Sequence, residues 1–114
     1  MDATMARTAT GVARTWRGRV PRERANEYLA YLEATGVRDL RATPGNRSVW
    51  VLRRAAGDVA EFWVISSWES EEAIRAFAGE PIDTARYYPE DPGFLLEMSE
   101  TVEHWELHAD PPPA

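Results

Sequence analysis

Residues 47–68 read RSVWVLRRAAGDVAEFWVISSW and decide the fold. Two runs within this stretch, residues 47–54 and 59–68, are rich in Val, Ile, Trp and Phe, which is typical of β-strands. Residues 55–58 between them contain Gly57, a residue that favours a tight turn. The stretch therefore predicts a β-hairpin of two long strands.

Both faces of this hairpin are apolar. Successive side chains of a strand point to opposite faces of the sheet. The first strand carries Trp50 and Leu52 on one face and Val49 and Val51 on the other. The second carries Trp63 and Ile65 on one face and Phe62, Val64 and Trp68 on the other. A sheet with one face in water alternates apolar and polar residues instead. We therefore expect the chain's own helices to cover one face and an identical sheet to cover the other, which predicts a homodimer. The alternative is that residues 81–94 fold across the second face.

The segment before the hairpin supplies one strand and one helix. Residues 12–20 predict a strand, and residues 22–35 hold apolar side chains at helical spacing. Pro21 is suited to the start of this helix, and Gly36 to its end. Residues 37–46 are expected to form a loop.

A second helix and a last strand follow the hairpin. Ser70 is a good N-cap, and Gly79 is expected to end the helix. The apolar stripe of this helix consists of Ala73, Ile74 and Phe77. Residues 101–108 predict the last strand. The order of elements is that of an α+β, ferredoxin-like βαββαβ fold with an antiparallel sheet.

The length of 114 residues suits a single domain. We expect the domain to occupy residues 12–109. Residues 1–11 are small and polar, which favours a flexible N-terminal arm. Residues 110–114 form a proline-rich tail, which is expected to be disordered.

Charge and composition disfavour several classes of function. A net charge of -6 opposes binding to nucleic acids and to anionic membrane surfaces. No apolar run approaches the roughly 20 residues that a membrane-spanning helix needs. The sequence contains no cysteine, so disulfides, thiolate catalysis and cysteine-ligated metals are excluded. The expected location is the cytoplasm.

Three stretches of the sequence resemble one protein family. They are ARTWRGRVPRERANEYLAYL at residues 13–32, TPGNRSVWVLRR at residues 43–54 and FWVISSWESEEAIRAFAGEPI at residues 62–82. The last contains the pattern Trp-Glu-Ser-x-x-Ala-x-x-x-Phe, which resembles a signature of the antibiotic biosynthesis monooxygenase family. The resemblance extends over residues 12–108, nearly the whole chain.

The resemblance implies a dimeric α+β barrel with a pocket between sheet and helices in each subunit. Members of this family include monooxygenases that oxidise aromatic polyketides without metal or flavin, quinol monooxygenases and haem-degrading proteins. The functional expectation is thus a monooxygenase without a cofactor that acts on a small aromatic substrate, such as a phenol, a quinol or a polyketide. Because a fold does not confer an activity, the alternative is a non-catalytic homodimer that binds a small apolar ligand or only assembles.

The sequence departs from the haem-degrading branch of this family at three positions. That branch has an Asn in the first strand, whereas this chain has Thr15, Trp16 and Arg17 there. Its late-helix Trp corresponds to Phe77, and its iron-binding His falls near Tyr87. Haem degradation is therefore disfavoured.

His104 and His108 are the two histidines of the chain. Both lie with Glu106 on one face of the last strand. The rise of a strand places His104 and His108 about 13 Å apart, which is too far for the two to share a metal ion. We therefore expect no metal site. His104 is a candidate catalytic base, because an imidazole near neutral pH can take a proton from a phenol. The alternative is a hydrogen-bonded histidine of the core or interface.

Other candidates follow from where pockets of the family open. Tyr88 could orient a substrate through its hydroxyl, and Arg14 could neutralise an enolate or a carboxylate. The candidate substrate-binding residues are Trp16, Trp68, Phe77 and Tyr87. The alternatives are core packing for the tryptophans, a packed connector for the tyrosines and a salt bridge for Arg14. Glu90 and Asp91 are expected to be solvated turn residues.

Overall fold

The structure, a computed structural model, describes residues 9–108 of the chain. Most of the predicted N-terminal arm and all of the predicted C-terminal tail lie outside the described residues. Within them, the backbone N–H of Thr10 donates a hydrogen bond to the carbonyl of Leu107 at 2.6 Å. Thr10 is therefore already attached to the sheet.

The described residues form one antiparallel sheet with helices. The strands are β1 (Gly11–Pro21), β2 (Asn46–Ala56), β3 (Val59–Trp68) and β4 (Glu103–Leu107). The helices are α1 (Ala25–Leu32), α2 (Arg38–Ala42), α3 (Glu71–Ala78) and α4 (Asp91–Phe94), with a 3-10 turn at Arg22–Arg24 and a π turn at Glu33–Val37. The strands lie in the order β2-β3-β1-β4, and every neighbouring pair is antiparallel. This order confirms the predicted α+β, ferredoxin-like fold.

The core lies between one face of the sheet and the helices. The sheet contributes Phe62 and Trp68 from β3, both almost completely buried. Tyr28 of α1 meets the Phe62 ring edge-on, with centroids 5.0 Å apart, and Ile74 of α3 is buried with them. The strand pattern placed Phe62, Val64 and Trp68 on one face of β3, and the structure shows that this is the helix face, which Val49 of β2 shares.

The first helical segment continues beyond its predicted end at Gly36. The π turn carries the chain through Gly36 into α2, so the expected loop of residues 37–46 is wrong for most of its length. Val37 and Leu40 are buried, and extending the helix places both in the core. The helix ends where Thr43 takes an extended conformation in front of Pro44, as residues before proline prefer.

The second predicted helix and the connector after it pack on the same side of the sheet. Ser70 Oγ accepts a hydrogen bond from the N–H of Ala73 at 3.1 Å, as the N-cap prediction requires. In the connector, Phe94 of α4 stacks on Tyr31 with ring centroids 5.6 Å apart. Residues 81–94 therefore cover the helix side, and not the opposite face of the sheet.

The opposite face of the sheet remains uncovered in one copy of the chain. Trp50 is 51% exposed, Leu52 44% and Trp105 55%. Across the strands, Trp50 lies opposite Ile65, and Leu52 lies opposite Trp63. Large apolar side chains of this face thus form a continuous surface. None of the described helices is long and apolar enough to cross a membrane.

Candidate functional site

A small cavity lies between the sheet and the helices. Its volume is about 60 Å³. The lining residues are Arg14, Trp16, Val64 and Ser66 of the sheet, Tyr28, Leu32, Thr35, Gly36, Leu40 and Phe77 of the helical segments, and Arg86, Tyr87, Tyr88, Asp91 and Val102 of the connector and the residues before β4. Aromatic rings and three charged groups thus surround one space.

The strand pairing places Arg14 and His104 side by side. These two residues are paired across β1 and β4, so both side chains leave the sheet on the helix face. The Arg14 guanidinium donates to Ile82 O at 2.6 Å and to Thr84 O at 2.9 Å. Burial lowers the pKa of Arg14 to about 10, although Asp83 acts in the opposite direction. Arg14 therefore remains charged at neutral pH and is fixed to the connector.

His104 is held between Arg14 and Asp83. Its Nε2 lies 3.1 Å from Arg14 Nη1, and its Nδ1 lies 3.0 Å from Asp83 Oδ1. Because a guanidinium only donates, Nε2 must accept, so the ring proton is on Nδ1 and is donated to Asp83. Burial lowers the pKa of His104, and the charge of Arg14 acts in the same direction, whereas Asp83 raises it. His104 does not line the cavity, and it must release Arg14 before Nε2 can accept a proton.

Tyr87 and Trp16 form a hydrogen-bonded aromatic pair in the cavity wall. Trp16 Nε1 donates to the Tyr87 hydroxyl at 3.2 Å, and that hydroxyl donates to Ser99 O at 2.6 Å. The ring centroids are 6.3 Å apart and the rings meet edge-on. Burial raises the pKa of Tyr87, so its hydroxyl stays protonated at neutral pH.

Tyr88 and Arg86 close the outer end of the cavity. The Tyr88 hydroxyl donates to Asp39 Oδ2 at 2.7 Å, and burial together with this bond raises the pKa of Tyr88. The Arg86 guanidinium lies 4.8 Å from the centre of the Phe77 ring and 5.2 Å from that of Tyr88. It also donates to Phe77 O at 3.1 Å. This arginine, which lines the cavity, is therefore partly exposed to solvent.

Trp68 lies in the core and does not line the cavity. Its Nε1 donates to Ser66 Oγ at 2.9 Å, and its ring packs against Phe77 at a centroid distance of 6.5 Å. Phe77 itself does line the cavity. The structure thus brings five of the seven predicted site residues to the cavity wall: Arg14, Trp16, Phe77, Tyr87 and Tyr88. It places His104 behind Arg14 and Trp68 in the core beside the cavity.

Asp91 and Tyr28 were missed by the sequence reasoning. Asp91, expected in a solvated turn, is only 5% exposed and lines the cavity. Tyr28 fitted the apolar stripe of the first helix and gave no separate functional signal. Burial of Asp91 arises because Phe94, three residues later, packs into the core and draws α4 inward. No local sequence pattern reveals that contact.

No group of three or more His, Asp or Glu residues within residues 9–108 is arranged to hold a metal ion. The polar groups around the cavity are instead hydroxyls, two guanidinium groups and a carboxylate. Such a set can orient a ligand hydroxyl, move a proton and stabilise an oxyanion.

Comparisons with known proteins agree with one another. The family model described as antibiotic biosynthesis monooxygenase matches residues 12–82. A proposed antibiotic biosynthesis monooxygenase from Bacillus cereus is 19% identical with a TM-score of 0.57, covering 92% of this chain and 96% of that one. The haem degrader MhuD from Mycobacterium tuberculosis, with two haems bound in its active site, is 21% identical with a TM-score of 0.54, covering 89% and 99%. At these identities the similarity establishes the fold. No curated protein sequence matches this chain significantly.

Proposed function

The chain belongs to the antibiotic biosynthesis monooxygenase family, and from this membership we propose that it is a homodimeric monooxygenase that acts without a cofactor on a small aromatic substrate. The substrate class is a phenol, a quinol or a polyketide-type ring. One observation carries the proposal, which is the cavity between sheet and helices. In its wall, aromatic rings stand beside hydroxyls and buried charges.

The proposed chemistry needs a proton acceptor and a stabilised anion. The substrate loses a proton, and the resulting carbanion-like anion reacts with O₂ directly. For an anthrone-type substrate, the carbanion adds O₂ to give a hydroperoxide. The remaining C–H bond at that carbon then breaks as a proton, its electron pair forms the C=O bond, and the O–O bond breaks so that the second oxygen atom leaves as water. The buried guanidinium of Arg14 supports the anion, while Trp16 and Phe77 provide an apolar wall.

The cavity must enlarge to take a whole aromatic ring. Its volume of about 60 Å³ is well below the roughly 300 Å³ of small ligand pockets. It can take the hydroxyl end of a substrate, with the ring occupying the space where Arg86 now lies. Arg86 contacts Asp39 at 3.4 Å and the Phe77 carbonyl, and we expect the cavity to open when Arg86 is displaced from these partners.

Haem does not fit the residues of this chain. Tyr87, at the position where haem-degrading relatives have their iron ligand, already uses its hydroxyl with Trp16 and Ser99. The proposed reaction therefore uses only side chains of the protein.

The proposed homodimer follows from the uncovered face of the sheet. Leaving a large apolar side chain in water forgoes about 1.5–3 kcal/mol, and Trp50, Leu52 and Trp105 are each roughly half exposed. A groove of about 500 Å³ also runs along this face beside Arg17 and Trp63. We propose that a second copy of the chain covers this face, sheet against sheet.

A second candidate function is a non-catalytic homodimer. The small volume of the cavity favours it, because a space of about 60 Å³ corresponds to about two water molecules. Here Arg14, Tyr87 and Tyr88 would only hold the connector against the sheet.

Oxygen consumption distinguishes the two candidates. Purified protein without added metal or flavin is mixed with anthrone or with a substituted hydroquinone, and dissolved oxygen is followed with an electrode. The monooxygenase proposal predicts uptake in proportion to protein concentration. Uptake no faster than in buffer, with both substrates, favours the non-catalytic dimer. His104→Ala in the same assay tests the predicted base, and unchanged turnover in a folded variant removes His104 from the mechanism.

A further inference from the structure

Asp91 is a buried carboxylate that the groups considered so far do not neutralise. It is 5% exposed and lies in the cavity wall, at the start of α4. Its Oδ2 accepts a hydrogen bond from the backbone N–H of Tyr88 at 2.6 Å. Among the described residues, no donor contacts Oδ1, and no basic side chain forms an ion pair with Asp91.

Tyr28 brings a hydroxyl to the same cavity. The residue is 1% exposed, and its ring is fixed between Phe62 and Phe94 at centroid distances of 5.0 and 5.2 Å. Within residues 9–108, its hydroxyl forms no hydrogen bond, and none joins it to Asp91. Two polar groups without a partner among the described residues therefore line one small space, where a single water or ligand oxygen can contact both.

We propose that Asp91 is the proton acceptor of this cavity and that Tyr28 binds the same substrate oxygen. The inference rests on the proposed function and names its base. The substrate O–H bond breaks, its electron pair stays on the oxygen and spreads into the ring, and the proton moves to Oδ1 of Asp91. The Tyr28 hydroxyl then donates a hydrogen bond to the oxyanion.

The surroundings of Asp91 suit a base that works near neutral pH. Burial raises the pKa of this carboxyl, and the hydrogen bond from Tyr88 opposes that effect only in part. A raised pKa brings the carboxyl group closer to the pKa of the substrate hydroxyl whose proton it must accept. The other ionisable groups that face the cavity are Arg14 of β1, Tyr28 of α1, and Arg86, Tyr87 and Tyr88 of the connector. His104 is less suited, because both its ring nitrogens are already bonded.

Asp91→Asn tests the role of the carboxylate. Asparagine keeps the shape and can still accept from the Tyr88 N–H through its carbonyl, which turns its NH₂ group toward the cavity. An acceptor thereby becomes a donor. We expect oxygen uptake with a substituted hydroquinone, which carries the O–H bond in question, to fall about 100-fold or more, the usual contribution of a general base. Glu90→Gln is the matched control, since it removes an exposed carboxylate from the same turn.

Binding of 4-nitrophenol gives a readout that does not depend on turnover. Its absorbance distinguishes phenol from phenolate, so the ionised fraction of bound probe can be measured at a pH where the free probe is mostly protonated. We expect a phenolate band without release of a proton to the buffer in the wild type and in Glu90→Gln, because Asp91 keeps the proton. In Asp91→Asn, any phenolate that forms should release its proton to the buffer. Tyr28→Phe, which keeps the packed ring, should weaken the band.

The outcomes separate this inference from the proposed function. If the wild type consumes oxygen and Asp91→Asn does so equally fast, Asp91 is not the base, although the monooxygenase proposal survives. If the wild type ionises the bound probe through Asp91 but consumes no oxygen, the site stands and the monooxygenase proposal fails. If the wild type neither binds the probe nor consumes oxygen, both are overturned.

Discussion

At the scale of single residues, the bond between Arg14 and His104 determines which groups can move protons. A charged guanidinium donates to Nε2, so the imidazole is kept neutral and its proton points to Asp83. Protonation of His104 would place a second donor and a second positive charge against Arg14. The hydrogen bond between the two side chains therefore helps to fix Arg14 in the cavity wall.

This arrangement predicts that acid destabilises the protein through His104. The lowered pKa means that the unfolded chain binds a proton more readily than the folded protein does. The contribution of His104 to the free energy of unfolding is therefore fully present above the ordinary histidine pKa of about 6.5 and is lost as the pH falls below it. We expect the free energy of unfolding of the wild type to decline over this range more steeply than that of His104→Gln, measured by urea denaturation. His108→Gln, at the exposed end of β4, should follow the wild type. Equal pH dependence in His104→Gln and wild type would contradict the assigned tautomer.

Arg86 is predicted to limit the entry of aromatic ligands. Its guanidinium covers the rings of Phe77 and Tyr88 and occupies the space that we propose for the substrate ring. Arg86→Ala should therefore bind 4-nitrophenol more tightly than the wild type, as measured by quenching of tryptophan fluorescence. Arg38→Ala removes another arginine that contacts Asp39 and is the matched control. Weaker binding by Arg86→Ala alone would show that Arg86 holds the ligand instead.

Strand alternation and the family resemblance together gave five of the cavity-wall residues: Phe77, Tyr87 and Tyr88 followed from the resemblance. Arg14 and Trp16 alternate with outward-facing residues of β1, so their common face could be predicted from spacing. Asp91 could not, because its burial depends on a contact between Phe94 and Tyr28, far apart in sequence. The contact between His104 and Asp83 could not be predicted either, because Asp83 lies in an irregular connector far from His104 in sequence.

At the scale of elements, the helical segment that runs past Gly36 is the main difference from the sequence prediction. Glycine is common after the last turn of a helix, and this led to the wrong end point. The structure shows Gly36 buried, with Leu32 and Tyr88 atoms 3.7 Å from where a Cβ would stand. Tertiary burial of Val37 and Leu40 outweighs the local signal.

Two glycine substitutions test this helix end. Gly36→Ala has ordinary contact distances and lies in a helical segment, so it should raise the free energy of unfolding by about 0.5–1 kcal/mol. Gly45→Ala is the contrasting variant, because its φ is +94° and a Cβ would clash with that of Ala73. It should destabilise the protein. Chemical denaturation measures both, and destabilisation by Gly36→Ala would support a helix that ends at Gly36.

At the scale of the whole molecule, the sheet carries apolar side chains on two faces and the chain covers only one. The hairpin sequence already indicated this, because strand alternation depends on nothing beyond the pleat. The sequence did not indicate which face of the sheet residues 81–94 would cover. The face that they cover depends on the packing of Phe94 and Leu95 in the core beside Tyr28.

The proposed dimer predicts a particle of twice the 12.9 kDa chain mass in sedimentation equilibrium. Trp50→Glu and Leu52→Glu place charges on the uncovered face and should shift the equilibrium toward monomer. Leu96→Glu is the control, since Leu96 is equally exposed but belongs to the connector, where its N–H bonds to Arg19 O. A wild type that sediments as a monomer at micromolar concentration would contradict the dimer.

The proposal that this protein is a monooxygenase is tested most directly by the fate of isotopic oxygen. Protein and anthrone are incubated under ¹⁸O₂ without metal or flavin, and the product is analysed by mass spectrometry. We predict faster product formation than in buffer and one ¹⁸O atom in each quinone molecule. Product that forms no faster with protein than without it, or that carries oxygen from water, would contradict the proposal.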